Sequence, residues 1–180
     1  QKSNDINVGI KKIFKSKKIW CAASTHPSEE NTCALAHKKL KNKYKNLLTI
    51  IIPRHVQRTN SIIEEIKNLD LKIQTRSETN KINIDTDIYL VDTYGESKSF
   101  YKICRSVFLG GSLINHGGQN PLEALRFGCR ILHGPYIQNF TEVYKLLEKN
   151  NISSKFYNVS QLVHLINKSF LEKKNFANKI

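Results

Sequence analysis

Short, unbroken apolar runs alternate along this chain with longer stretches in which apolar residues recur every three or four positions. Lys18 to Ala23, Leu47 to Ile52, Asp87 to Val91, Val107 to Leu109 and Arg130 to His133 are runs of the first kind. Continuous apolar character of this sort fits parallel strands buried on both faces, rather than the in–out alternation of a half-solvated sheet. Leu71–Thr75 and Lys155–Tyr157 read as weaker strands. Between them, helical spacing predicts helices over about 28–43 and 59–68, a third that starts at Thr93–Glu96, and one from Pro121 to Phe127. Gly128 is placed to cap the fourth. Further helices are predicted over 140–149 and 160–173, the last with Leu162, Val163, Leu165, Ile166 and Phe170 as its apolar set. Strand–helix alternation of this kind predicts an α/β fold with a doubly wound parallel sheet. Residues 1–17 are polar and basic and are expected to be a linker or the end of a preceding segment, with 18–180 as the folded domain. A chain that starts at Gln1 reads as a piece of something longer.

In such sheets ligands gather beyond the carboxyl ends of the strands, near the switch in strand order. That places four segments in one candidate site: Pro53-Arg54-His55, Thr93-Tyr94-Gly95-Glu96, Gly110-Gly111-Ser112, and Asn120-Pro121-Leu122-Glu123. The glycine-rich stretch from Gly110 through Gly117 and Gly118 to the helix start at Asn120 is the most informative. Strand, glycine loop and helix tip bring bare backbone N–H groups up to an anion such as phosphate. Both helix starts also have a plainer explanation. Asn120, Pro121 and Glu123 form a cap, a first-turn proline and a capping box, and Thr93 with Glu96 forms another box. Arg54 is either a solvated charge or a planar fork for phosphate or carboxylate. His26 beside Glu29 and Glu30 is expected to be a solvated turn and helix start, and no nucleophile–base constellation is evident.

Composition narrows the classes. No apolar run approaches the roughly 18 residues of a membrane span, and no apolar segment follows the basic stretch Lys11–Lys18 as a signal peptide requires. The net charge of +14 over 180 residues favours anionic partners without choosing among nucleotide, nucleic acid and acidic membrane. A nucleic-acid-binding module is one rival, yet no helix-turn-helix or RNP-type motif accompanies the charge. Cys21, Cys33, Cys104 and Cys129 lie far apart, and the six histidines lack ligand spacing, so neither a metal nor a disulfide framework is expected. Cys21, Cys104 and Cys129 are expected to be buried, as suits a reducing compartment.

Several blocks occur in an order and spacing that resemble one family. They are Trp20-Cys21-Ala22-Ala23-Ser24-Thr25-His26-Pro27-Ser28-Glu29-Glu30, Pro53-Arg54-His55, Tyr89 through Glu96, Gly110-Gly111-Ser112-Leu113, His116 through Ala124, and Gly134 through Phe140. Over about residues 18–150 the chain is similar to the C-terminal half of the lipid A Kdo (3-deoxy-D-manno-octulosonic acid) transferases. The resemblance implies a Rossmann-like domain of a GT-B glycosyltransferase that moves Kdo from CMP-Kdo onto a lipid A precursor, in lipopolysaccharide biosynthesis at the cytoplasmic face of the bacterial inner membrane. It implies CMP contacts at Pro53, Arg54, Tyr94, Gly95, Glu96, Asn120, Pro121, Leu122 and Glu123, with Gly110, Gly111, Ser112, Gly117 and Gly118 in support. It implies no metal and no cofactor beyond the donor substrate CMP-Kdo, no nucleic-acid partner, and inverting displacement. The general base, the acceptor site and the membrane surface are expected in an N-terminal domain, so this fragment alone is expected to be soluble, to bind CMP and to transfer nothing. Tyr94, Ser97 and Gln119 stand where the family usually has Met, Leu and His, which bears on how the base packs. A GT-B transferase using a UDP- or GDP-sugar is the nearest alternative.

Overall fold

The computed structural model describes residues 8–79 and 81–172. Among them, seven strands form one all-parallel sheet: β1 (Lys18–Thr25), β2 (Leu47–Pro53), β3 (Ile73–Thr75), β4 (Ile88–Leu90), β5 (Ser106–Leu109), β6 (Arg130–His133) and β7 (Ser153–Lys155). Their order across the sheet is β3-β4-β2-β1-β5-β6-β7. The chain winds outward from β1 in one direction through β2, then crosses to β5 and continues the other way. The switch point therefore lies between β1 and β5, which are directly paired, with Cys21 opposite Val107 and Ala23 opposite Leu109.

The apolar runs have both faces covered. Ile19, Cys21 and Ala23 of β1 join a core with Leu48, Ile50, Phe100, Val107 and Tyr144, whereas Trp20 and Ala22 join one with Ile51, Leu40, Phe108, Leu162 and Ile166. Helices α2 (Glu29–Lys41), α3 (Thr59–Ile66) and α7 (Val159–Leu171) cover the second face. Helices α4 (Ser97–Tyr101), α5 (Leu122–Arg126) and α6 (Thr141–Lys149) cover the first. All four cysteines are buried.

Two expectations change, and one segment gains detail. Within the 1–17 segment, expected as a linker or the end of a preceding segment, Val8–Ser16 forms a helix, α1. Its Phe14 is buried and meets the Phe100 ring edge-on at 6.3 Å, so it belongs to the core of the first face. Residues 1–7 of the expected linker, and Lys173 of the expected last helix, lie outside the described residues. The Thr93–Glu96 segment does not open a helix with a capping box: α4 begins at Ser97, and no side chain caps its start. The Thr93 hydroxyl donates to the Glu96 carboxylate instead. The helix start at Glu29 is also not solvated, because Glu29 is 1% and Glu30 0% exposed.

Gly128 caps α5 as its position suggests. With φ of +72° it lets its own N–H reach the Leu125 carbonyl at 2.8 Å, and the Cys129 N–H turns back to Ala124.

Candidate functional site

Loops after β1, β2, β4 and β5 converge at the switch point around two adjoining clefts. The first, of about 260 Å³, is lined by Pro53, Arg54, Tyr94, Gly95, Glu96 and Glu123, among others. The second, of about 380 Å³, is lined by Gln119, Asn120, Leu122, Glu123 and Arg126, among others. Ser24, Tyr101 and Glu123 belong to both and form the ridge between them. Residues from 53 to 123 are thus gathered by the ends of neighbouring strands, as the sequence argument required. Pro121 is buried and lines neither cleft.

Arg54 is exposed at the tip of β2, where its backbone N–H is held by the Thr25 carbonyl at 3.0 Å. Among the described residues its guanidinium has no carboxylate partner. Tyr94 is 66% exposed. Gly95, at φ +80° and with open space where a Cβ would project, keeps the floor beside that ring bare.

Glu96 differs from the others. Its carboxylate accepts from Arg76 through Nε at 3.1 Å and Nη2 at 3.0 Å, and from the Thr93 hydroxyl. Burial opposes its charge, but these donors prevail and hold the carboxyl below the usual range. Its acceptor capacity is spent inside the protein, so Glu96 shapes the first cleft as part of its wall.

At α5 the expected capping box is half made. The Asn120 side chain accepts from the Leu122 N–H at 3.0 Å, as a cap does. Glu123 does not reach back to Asn120. Its carboxylate lies 3.4 Å from the Ser97 hydroxyl and 3.6 Å from Lys98 Nζ, and 45% of its side chain is exposed. An acceptor pair that could have closed the helix start instead faces the ridge between the clefts.

The glycine loop behaves otherwise than expected. The Glu29 carboxylate, reaching from α2, already takes its amides: Gly111 N–H at 2.9 Å, Ser112 at 3.2 Å and Leu113 at 3.0 Å, with the His26 N–H at 2.9 Å. Gly110, Gly111 and Ser112 therefore present no open anion seat. Gly110 serves close packing, since a Cβ there would lie 2.3 Å from the Ser24 carbonyl oxygen. Gly117 and Gly118 are likewise used internally. The Gly118 N–H donates to Gly111 at 2.8 Å, and a Cβ on Gly117 would strike the Asn139 amide at 2.3 Å. Burial outweighs the four amides and leaves the Glu29 carboxyl above the usual range. Next to it, Glu30 is paired with Arg58 at 2.8 and 3.1 Å.

Sequence reasoning missed Ser24, Tyr101 and Arg126. Ser24 sits at φ +56°, a strained left-handed conformation for serine, at the end of β1. Nothing in its neighbours announces that. Tyr101 and Arg126 come from the last turns of α4 and α5, where a helical reading assigns them to core and solvent. No group of His, Cys, Asp or Glu among the described residues is arranged to hold a metal ion. No helix among them is long and apolar enough to cross a membrane.

Comparison with known proteins gives a consistent pattern. No family model matches the chain. It is 39% identical over 129 residues to a 3-deoxy-D-manno-octulosonic acid transferase of Haemophilus influenzae, covering 72% of this chain and 30% of that protein. It is 32% identical over 142 residues to the enzyme of the same name from Aquifex aeolicus, covering 79% of this chain and 39% of that protein. The chain thus spans about a third of the length of the curated relatives it matches. Among solved structures, the C-terminal CMP-Kdo binding domain of WaaA from Acinetobacter baumannii superposes with a TM-score of 0.83 at 29% identity, covering 88% of this chain and 83% of that one. A putative UDP-N-acetylglucosamine 2-epimerase from Listeria monocytogenes, at 11% identity and a TM-score of 0.61, shares the fold.

Proposed function

Since the chain belongs to the 3-deoxy-D-manno-octulosonic acid transferases and corresponds to their C-terminal domain, we propose that it holds the CMP-Kdo donor for transfer of Kdo to a lipid A precursor. The observation that carries this is the pair of clefts at the switch point, with the exposed guanidiniums of Arg54 and Arg126, one bare backbone step at Gly95 and the half-exposed Glu123 carboxylate between them. The flat, glycine-floored cleft beside Tyr94 suits a pyrimidine ring. Glu123, turned away from its helix, can accept hydrogen bonds from a ribose diol. Arg54 and the turn at Asn120 suit the phosphate.

In this proposal the chain contributes leaving-group stabilisation. As the bond between the sugar and the phosphate breaks, negative charge grows on CMP and is met by donors already in place, which is electrostatic preorganisation. The donor is a substrate, and no cofactor or metal is called upon. The base that activates the acceptor hydroxyl, the acceptor contacts and the attachment of the full-length enzyme to the inner face of the membrane are assigned to the N-terminal domain of the family. The chain by itself is therefore proposed to bind CMP and to transfer nothing.

Titration with CMP, UMP and UDP, followed by calorimetry and by amide shifts at Gly95 and Asn120, tests this. The expected result is saturable binding of CMP, with shifts at both amides. A preference for UDP over CMP would replace the Kdo donor with a diphosphate sugar. Steeply salt-dependent binding to DNA with no response to CMP would move the chain to the nucleic-acid binders.

A further inference from the structure

Three imidazoles from three different strand ends meet beside this site, and none is used by the nucleotide clefts. His26 follows β1, His55 follows β2, and His116 lies in the loop between β5 and α5. The His26 ring lies 4.3 Å from that of His116 and 6.3 Å from that of His55, centroid to centroid. His26 is 7% exposed, whereas His55 and His116 are exposed. The His26 Nδ1 lies 3.0 Å from the Ser24 carbonyl and so carries its proton there. That leaves Nε2 as the nitrogen able to gain one. Among the described residues, no ring nitrogen of His55 or His116 has a hydrogen-bond partner. The cluster also sits against the ligand side of the fold. His55 adjoins Arg54, His116 heads the loop that ends at Asn120, and Ser24 is on the ridge between the clefts.

Accepting the donor reading above, we propose that His26, His55 and His116 form the seat for the carboxylate of the donor's sugar acid, and that the cluster takes up a proton when it binds. A sugar acid linked to CMP carries a second anion beyond the phosphate, and Arg54 serves the first. The glycine loop, which would otherwise offer amides to that second anion, is filled by Glu29. Lys98 at this end of the sheet is paired with Glu123 and Arg126 lines the second cleft, whereas the three imidazoles gather in one cluster of donors that can become cationic. Burial, and then repulsion from His116, disfavour the charged form of His26 in the empty site. The acidic groups facing it are Glu29 of α2, 3.8 Å from its Nδ1, and Glu30 behind that. Both carboxylates are committed, to the loop amides and to Arg58 respectively. An arriving carboxylate supplies uncommitted negative charge, which favours the imidazolium and converts Nε2 from acceptor to donor.

The test is calorimetric titration of the chain with CMP and with CMP-Kdo, from about pH 8 to about pH 6, the range in which imidazole titrates. Wild type is expected to bind CMP-Kdo roughly tenfold more tightly at the acid end, the equivalent of one pKa unit on one ring. Net proton uptake on binding should show as a heat that depends on the buffer's ionisation enthalpy. In the triply substituted H26Q/H55Q/H116Q chain, whose unfolding midpoint is compared with that of wild type, that pH dependence should flatten. Its affinity for CMP should equal that of wild type at each pH. A flat profile in wild type, an unchanged profile in the variant, or equal losses for CMP and CMP-Kdo would each overturn the proposal. Failure of wild type to bind CMP at all would instead sink the donor reading on which the proposal rests.

Discussion

Two loops at the same end of the sheet, Gly110–Leu113 and Gln119–Glu123, offer backbone N–H groups at the tip of a helix or strand. Their fates differ. In the first, a buried carboxylate from a helix 82 residues upstream has taken three amides, and a fourth comes from His26. In the second, a single side chain caps one amide, and the glutamate that might have closed the turn faces a cleft instead. One loop is a joint of the scaffold, and the other leaves its glutamate half-exposed beside a cleft. Local sequence marks both as anion seats. Which of them is open is decided by a residue that local sequence does not include.

The most disruptive way to break this contrast is Glu29→Ala. It strands four amides, three of them buried, and the chain should lose roughly 3 kcal/mol or more of stability, since each unsatisfied buried donor costs about 1–3 kcal/mol. Urea unfolding measures it, and a loss no larger than that of an ordinary surface substitution would mean the loop is not a joint. Arg54→Ala should act in the opposite sense. The unfolding midpoint should stay put while CMP affinity falls by roughly 1.5–3 kcal/mol, the worth of a charge-assisted hydrogen bond.

The second loop separates further into its two residues. Asn120→Ala should reduce stability by about 1 kcal/mol, as removal of a cap does. Glu123→Ala should leave stability nearly unchanged yet weaken CMP by about 1 kcal/mol, the net worth of a typical hydrogen bond. Equal stability losses at the two positions would restore the capping box and remove the argument for Glu123 as a ligand group. The smallest effect is the pH dependence of Glu29. Its folded pKa is raised by burial. Its linkage term is therefore fully present below the unfolded carboxylate value and is lost as pH rises through the raised one. The stability gap between wild type and Glu29→Gln should accordingly narrow as pH rises through that window. A gap that widens would place the carboxyl below its ordinary value.

Much of the fold was legible because strands buried on both faces must be apolar throughout. Arg130–His133 coincides with the observed β6, and the Leu47 start of β2 is also met. The helix at Val8–Ser16 was less visible. Its scattered apolar positions sit among lysines, and what folds it onto the domain is Phe14 meeting Phe100, a contact between segments far apart in sequence. The strand-end rule gathered Arg54, Tyr94, Gly95, Asn120 and Glu123 because topology alone brings strand tips together. It could not tell that Arg76 would occupy Glu96, nor that Glu29 would fill the glycine loop. Both depend on long-range side-chain placement. His26, read as part of a solvated turn, is buried for the same reason.

The entry to β1 and the far end of α7 meet at the opposite pole of the molecule. Lys18 Nζ lies 5.2 Å from the Tyr44 ring centroid and 5.4 Å from that of Phe170, and those two rings meet edge-on at 5.3 Å. A tether, tag or immobilising surface joined near either place pulls on the amino ends of the strands. The whole length of the strands then stands between the point of attachment and the mouth through which a nucleotide enters.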